Sequence, residues 1–407
     1  MKESRVKWLI LTVCCIVVMV NAGVRLSFGI FIKPLENTFN ISRSMSSLVQ
    51  SFFELGFGIF QLTMGRVVDI RGPKKVILVG LIVLAASFSL LSKVKAVSLF
   101  YVIYGIIIAF GAGSTSLVTN IAVVKNRFKS EGALPVSAIT ASVSVGQLVL
   151  IPVVSYFVTN LDWRAGYLYL SLLTAVTALL VFVGMPKDKM SDSVTHFKQK
   201  MFSPIKFKEI IKSYSFWVFG LVFMVCGFGF SFVATHLIPY VLDIPLAPRQ
   251  ASNALALIGG VSIVGTLGTG YISRLFSKNK IILLLFLVRA LAMGLLLFSE
   301  SGGTIYIFAV IIGLTWTATV PLITDLSSEK FGVENTGTVL GALFLLHQFG
   351  AAAGSYMGGL ISDYTHGYHL MFFISAVLDI GAALLIWLHR RRHSKITTKF
   401  KTGSHKI

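Results

Sequence analysis

The sequence predicts an all-α membrane protein, with twelve transmembrane helices arranged as two six-helix, pseudo-symmetric bundles. Three observations point there. The chain is 55% apolar and only 13% charged, with a mean hydropathy of +0.82, whereas a water-soluble domain covers its surface with about 25% charged residues. Apolar runs of roughly 18 residues or more recur along it, each long enough to cross ~30 Å of hydrocarbon as a helix. Features of the first half also return in the second at a nearly constant offset.

The spans fall at 8–32, 44–65, 75–92, 97–124, 134–158, 165–185, 214–240, 251–272, 280–299, 303–326, 336–361 and 367–389. Most connections are short. The exception is 186–213, which is polar, lysine-rich and holds Pro186 and Pro204. Residues 1–185 are therefore expected to form the first bundle, 186–213 a cytoplasmic linker, 214–389 the second bundle and 390–407 a basic cytoplasmic tail. The start, MKESRVKWLILTVCCIVVMV, has the charged and apolar regions of a signal peptide but no small-residue cleavage site, and reads as the first span.

Charge sets the expected orientation. With both termini in the cytoplasm, 28 of the 36 basic residues lie on the cytoplasmic side and six on the outer side: Lys33, Arg43, Lys93, Lys95, Arg164 and Arg249. Basic residues favour the cytoplasmic side and its anionic leaflet. The net charge of +20 is thereby accounted for by the lipid bilayer, with no nucleic-acid partner implied. The expected location is a cell membrane, the inner membrane of a bacterium. The three cysteines, Cys14, Cys15 and Cys226, lie inside apolar segments and their odd number implies no disulfide framework. There is no Gly-x4-Gly-Lys-[Ser/Thr] loop, no His-Glu-x2-His pair and no Cys/His cluster at metal spacing. No cofactor, no metal and no enzymatic activity are expected, and a pump driven by ATP on this chain alone is excluded.

The internal repeat rests on three matches. Gly65-Arg-Val-Val-Asp69-Ile-Arg-Gly72-Pro-Lys74-Lys75 follows span 2, and Gly270-Tyr-Ile-Ser-Arg274-Leu-Phe-Ser277-Lys-Asn279-Lys280 follows span 8, an offset of 205. Gly146 answers Gly350 at 204, and Tyr167 answers Tyr368 at 201. Transporters are often built from such repeats.

The Gly65–Lys75 segment resembles the signature between spans 2 and 3 of the major facilitator superfamily, Gly-x3-Asp-Arg-x-Gly-Arg-Lys. With twelve spans, a central loop and a degenerate second copy, the resemblance covers the whole chain and implies the major facilitator fold. It also implies that Gly65, Asp69, Gly72, Lys74 and Lys75 form a conformational latch, in which Asp69 faces the amino end of span 11. A carboxylate suits a helix amino end; Arg274, at the matching place in the second half, does not. Softer patterns resemble the monocarboxylate and oxalate/formate branch: Gly23-Val-Arg-Leu-Ser-Phe-Gly-Ile-Phe-Ile-Lys-Pro34, Ser215-Phe-Trp-Val, His236-Leu-Ile-Pro-Tyr240 and His347-Gln-Phe-Gly-Ala-Ala-Ala-Gly354. That branch carries a substrate-binding arginine in span 8 where this chain has Thr266, and a basic position in span 11 that falls on His347. The Gly-Pro-x-x-Gly-Gly ending of span 5 in drug/proton antiporters is missing.

An ionisable group at bilayer depth costs at least ~2.5 kcal/mol and marks a candidate functional site. Five qualify: Arg25, Glu54, His347, Arg289 and Asp379. In the resembling fold spans 1, 4, 7 and 10 line the cavity, so Arg25, Glu54 and His347 fall in or beside it and the other two outside. Arg25, with Asn21 one turn away, reads either as a fork for a substrate carboxylate or as an internal partner of Glu54. Glu54 is a candidate proton carrier. His347 reads as a proton relay, imidazole being the side chain that changes charge nearest neutral pH, as a substrate contact, or as a packing histidine. Asn120 and Tyr240 are further substrate-binding candidates by position, and His236 suits a gate. Gly350, Gly354 and Gly358 make a small-residue stripe suited to close packing. Arg289 and Asp379 lie ~13 and ~15 Å above the cytoplasmic ends of spans 9 and 12 at 1.5 Å per residue, and are expected to form a structural ion pair. The function this implies is a secondary transporter, acting as a monomer, for a small organic anion of the monocarboxylate kind, with proton coupling open. The alternative is an exporter of amphipathic or drug-like compounds.

Overall fold

The computed structural model describes residues 2–128, 134–186, 204–244, 246–298, 301–332 and 335–403. Most of the expected linker, the end of the tail, the surroundings of Gly65 and the side chain of Asp69 lie outside that description. The described chain is helical, and its long helices fall on the twelve expected spans. Eleven are both long and apolar enough to cross a membrane. The twelfth, Arg43–Arg71, has the length at 29 residues, but carries Ser47, Gln50, Ser51, Glu54 and Gln61 along its path. Those groups face other helices and are buried.

Helices run past the apolar cores of the spans. Span 1 comprises Lys2–Leu26 and Phe28–Phe39, joined at Ser27, whose hydroxyl bonds the Val24 carbonyl at 2.9 Å. Span 12 continues from His369 to Gly403, through residues assigned to the tail by their charge. A nine-residue helix, Pro204–Lys212, precedes span 7. Spans 4 and 10 are both interrupted: span 4 by the π-helical turn Ile103–Ile108 and again at Thr115–Ser116, span 10 between Gly302–Thr315 and Thr319–Phe331.

The two six-helix halves are built alike. Span 5 packs on span 1 through Gly146, where an added Cβ would lie 2.1 Å from the Met19 carbonyl oxygen; span 11 packs on span 7 through Gly350, where it would lie 1.9 Å from that of Met224. Both contacts need backbone at van der Waals distance, which only glycine allows. Gly354 and Gly358 continue the second seam against Phe228 and His236. Spans 9 and 12 lie side by side on the outside of the second half. The lipid-facing rim is apolar, as at Val183 and Leu291, 75% and 70% exposed. The halves meet along two main seams, span 2 with span 11 and span 5 with span 8, and the second part of span 1 also packs on span 7.

An even number of crossings puts both termini at one end of the bundle, the terminal face. The opposite end, the far face, is closed by a cluster around Arg43 at the start of span 2. Its guanidinium reaches Glu36 in its own half (Nε–Oε1 2.8 Å). From the other half it engages Asp243, Ser362 Oγ at 3.3 Å and Tyr368 Oη at 3.3 Å. Lys33 adds a 2.6 Å ion pair to Asp243. Asp363, at the end of span 11, accepts the backbone N–H groups of Arg43 and Ser44 at 3.0 and 2.9 Å. A carboxylate of one half thus caps a helix amino end of the other.

Candidate functional site

About 16 Å below Arg43 along span 2, at 1.5 Å per residue, Glu54 sits almost fully buried between the halves. Three elements supply its partners. Gln50, one turn earlier on the same helix, donates Nε2–H to Oε1 at 2.9 Å. Gln348 of span 11 donates Nε2–H to Oε2 at 3.1 Å. Arg25 of span 1 approaches the same oxygen with Nε at 3.7 Å. At that distance the arginine makes no hydrogen bond, and its buried Nε has no hydrogen-bond partner. The guanidinium instead lies over Phe57 of span 2, 4.5 Å from the ring centre, and 5.7 Å from that of Phe230 of span 7. Phe230 stacks on Trp316 at the break in span 10, with centroids 4.3 Å apart. Trp316 Nε1 donates to Gln147 of span 5 at 3.0 Å. The Arg25 side chain keeps 18% of its surface exposed.

His347 is next to this group. Its Nδ1 is 2.9 Å from Gln348 Oε1 and its ring packs on Phe223, centroids 4.7 Å apart. The structure thus brings Arg25, Glu54 and His347 together. Asn21 and Asn120 take other places. Asn21 donates to the Ala112 carbonyl at 2.8 Å and to Thr115 Oγ1 at 2.7 Å, tying span 1 to the break in span 4. Asn120 donates to the Thr115 and Ser116 carbonyls across the same break. Both amides brace carbonyls at the interruption: those of Ala112 and Ser116 also accept a backbone N–H, while that of Thr115 is met by the Asn120 amide. Tyr240 is far from Arg25, packed with its ring on Tyr368 and Phe372 near the far face. His236 belongs to that closure too: Nε2 donates to the Ser355 carbonyl at 2.7 Å and Nδ1 accepts from Tyr368 Oη at 2.9 Å.

The expected ion pair is not a direct contact. Arg289 and Asp379 are both buried to 1% exposure and within electrostatic reach of each other. The guanidinium nevertheless turns to Cys226, with Nη1–H on Sγ at 3.1 Å and Nη2–H on the carbonyl at 3.3 Å. Oδ2 of Asp379 has no hydrogen-bond partner. Of the expected latch, Gly72 ends span 2 at φ 85°, a backbone that suits glycine, and Pro73 starts span 3 directly after it. Lys74 works within its own half: Nζ donates to the Phe182 carbonyl at 2.7 Å and to that of Met185, a cation on the carboxyl end of span 6. Lys75 stands in the first turn of span 3. Thr266, where the resembling branch has arginine, bonds Thr317 of span 10 at 2.7 Å.

Sequence reasoning weighed ionisable groups and passed over Gln50, Gln348 and Gln147. A glutamine in an apolar span is a weaker signal than a charge but the same kind of signal. A crevice of about 210 Å³ opens on the far face between spans 1, 5 and 7, lined by Lys33, Asn37, Ser155 and Leu242 among others. It includes none of the residues around Arg25.

Two pseudo-equivalent helix bundles meeting at a buried polar centre, with one end sealed, have the architecture of membrane transporters built from internal repeats. Residues 14–355 match the Major Facilitator Superfamily, and the chain belongs to that family. It is 28% identical over 397 residues, 95% of each chain, to the uncharacterised MFS-type transporter YcxA of Bacillus subtilis (strain 168). It is 22% identical to the oxalate:formate antiporter of Oxalobacter formigenes, covering 93% of this chain and 90% of that one. It is 22% identical to monocarboxylate transporter 12-B of Danio rerio, covering 93% and 86%. The fold is similar to that of a bacterial homologue of the human lysosomal transporter Spinster, in an inward-facing and unoccupied conformation, with TM-score 0.79 and 13% identity over 95% of this chain and 97% of that one. It is also similar to a D-xylose–proton symporter, with TM-score 0.70 and 16% identity over 93% and 97%.

Proposed function

We propose that the chain is a proton-coupled secondary transporter of a small organic monoanion in a bacterial cell membrane. The observation that carries the reading is the loose ion pair of Arg25 and Glu54. A guanidinium binds a carboxylate best through two parallel hydrogen bonds, and Glu54, at 3.7 Å from Nε alone, makes neither. A substrate carboxylate offers both. It takes the arginine, and Glu54, buried and deprived of its cation, takes a proton. Gln50 Oε1 is buried close by without a partner, and a half-turn of that amide gives the new O–H an acceptor. Anion and proton then move together with no net charge. Thr266 leaves the site without the second cation that a dianion needs, which favours a monoanion. The monocarboxylate and oxalate:formate relatives support the anion class.

The charge asymmetry of the loops supports a terminal face in the cytoplasm and a sealed far face outside, and with it access to Arg25 from within. Export of amphipathic compounds is the second reading, favoured by Phe57, Phe230 and Trp316 around the arginine. Uptake into proteoliposomes of labelled carboxylates and amphipathic cations, with and without an imposed pH gradient, separates the two. Carboxylate uptake driven by the gradient is expected, with Arg25→Lys weak and Arg25→Ala inactive though inserted. Unchanged uptake of an anion by Arg25→Ala overturns the reading.

A further inference from the structure

Gln348 lies where Glu54 and the seam between the halves coincide. Its Nε2–H is committed to the Glu54 carboxylate at 3.1 Å. Its Oε1 is then an acceptor, so the facing nitrogen of His347, Nδ1 at 2.9 Å, carries the ring proton. The residue is held from both sides. An added Cβ at Gly58, one turn beyond Glu54, would lie 2.9 Å from its Cβ and 3.0 Å from its Cγ. Behind it, an added Cβ at Gly227 of span 7 would lie 2.0 Å from the His347 carbonyl oxygen. The amide therefore has little room to withdraw from Glu54 unless the halves part.

The two amides on Glu54 respond differently to a proton. A carboxylate only accepts hydrogen bonds, whereas a carboxylic acid must also donate one. Gln50 has a buried oxygen without a partner to receive it; the oxygen of Gln348 is already taken by His347. Protonation thus turns Glu54 toward its own half and replaces the charge-assisted bond across the seam with a weaker neutral one. The other titratable or charged groups facing Glu54 are Arg25 on span 1, Tyr104 on span 4 and, through Gln348, His347 on span 11. Beyond His347 lie Cys226 on span 7, Arg289 on span 9 and Asp379 on span 12.

We propose that Gln348 is the positioning residue that transmits the protonation state of Glu54 to the second half, tying the halves at mid-membrane while Glu54 is ionised and releasing them when it is protonated. This rests on Glu54 as the proton carrier and not on the substrate being an anion. The test is a pulsed electron-resonance distance between spin labels at Leu161→Cys and Arg249→Cys, exposed positions on the far face of either half. It is made without substrate on an Arg25→Ala background, in which Glu54 has lost its cation as it does when an anion takes the arginine, between about pH 5 and pH 9, where a single linked proton moves a two-state ratio by at most about tenfold per pH unit. On that background the ratio is expected to follow pH toward that slope, and adding Glu54→Gln removes the response. Adding Gln348→Met, which keeps the length without the amide, or Gln348→Asn, too short to reach Glu54, leaves a change of less than about twofold over the same range. The full pH response with either Gln348 variant, a flat background, or a persistent response with Glu54→Gln overturns the proposal. Flat Gln348 variants alongside unchanged anion uptake by Arg25→Ala would remove the anion reading and leave this one standing.

Discussion

Buried charges in this protein are met by unequal partners, and the inequality tells their roles apart. Arg25 and Arg289 both bury an Nε without a hydrogen-bond partner, but Arg25 rests on two aromatic rings and keeps some exposed surface, the arrangement of a group that exchanges partners. Arg289 is enclosed, with bonds to the Cys226 thiol and carbonyl and the Phe286 ring 5.5 Å away. Arg289→Ala leaves Asp379 buried without a counter-charge, a loss expected at roughly 3–5 kcal/mol. Asp379→Asn removes one charge while Arg289 keeps its bonds to Cys226, and is expected to cost less than half as much. Thermal unfolding of the purified variants measures both. Equal losses would show that the charge pair, and not the contact with Cys226, holds the arginine.

At the scale of the element, glycine seams decide how the helices lie. Gly350→Ala drives a methyl group to 1.9 Å from the Met224 carbonyl, so spans 7 and 11 must separate. A cost of about 1–3 kcal/mol, read as a lower unfolding midpoint and a lower yield of folded protein, is expected. Gly381, where an added Cβ meets nothing within 4 Å, is the control. Gly381→Ala is expected to be neutral or slightly stabilising, because alanine is the better helix former. Equal behaviour of the two variants would show that the seam tolerates the extra atom. The interruptions of spans 4 and 10 belong to the same scale. Asn21 and Asn120 serve the first of them, which is why two amides that sequence position suggested for substrate contact are spent on backbone groups.

The whole molecule is held in its present state by the far-face cluster. Asp363 lends its carboxylate to two backbone N–H groups of the opposite half, so Asp363→Asn weakens closure without touching the mid-membrane site. A capping loss of ~1–2 kcal/mol moves a two-state ratio about five- to thirtyfold. The label pair at Leu161 and Arg249 is expected to report a longer mean distance. An unchanged distribution would mean that Arg43 with Asp243 and Glu36 suffices for closure. The same chemistry, a carboxylate on a helix amino end, is described at the far face, from Asp363 of span 11 toward span 2; the side chain of Asp69, which the resemblance assigns to a latch on span 11 at the terminal face, lies outside the described residues.

The sequence by itself determined the solvent, the number of crossings, the repeat and which side chains are costly enough at bilayer depth to matter, because hydropathy, charge and spacing are local sums along the chain. Arg25 and Glu54 were legible for that reason, and their mutual contact was one of two readings left open. Tertiary structure decided which polar groups meet. Asn21 turns to span 4, Arg289 to Cys226, and Lys33 and Arg43 to residues some 200 to 320 positions later. Gln348 shows the limit best: beside His347 it reads as one more polar residue in span 11, and only the rotation and register of spans 2 and 11 bring its amide to Glu54. Partner choice in a helical membrane protein depends on those two quantities, and neither is a property of any single stretch of sequence.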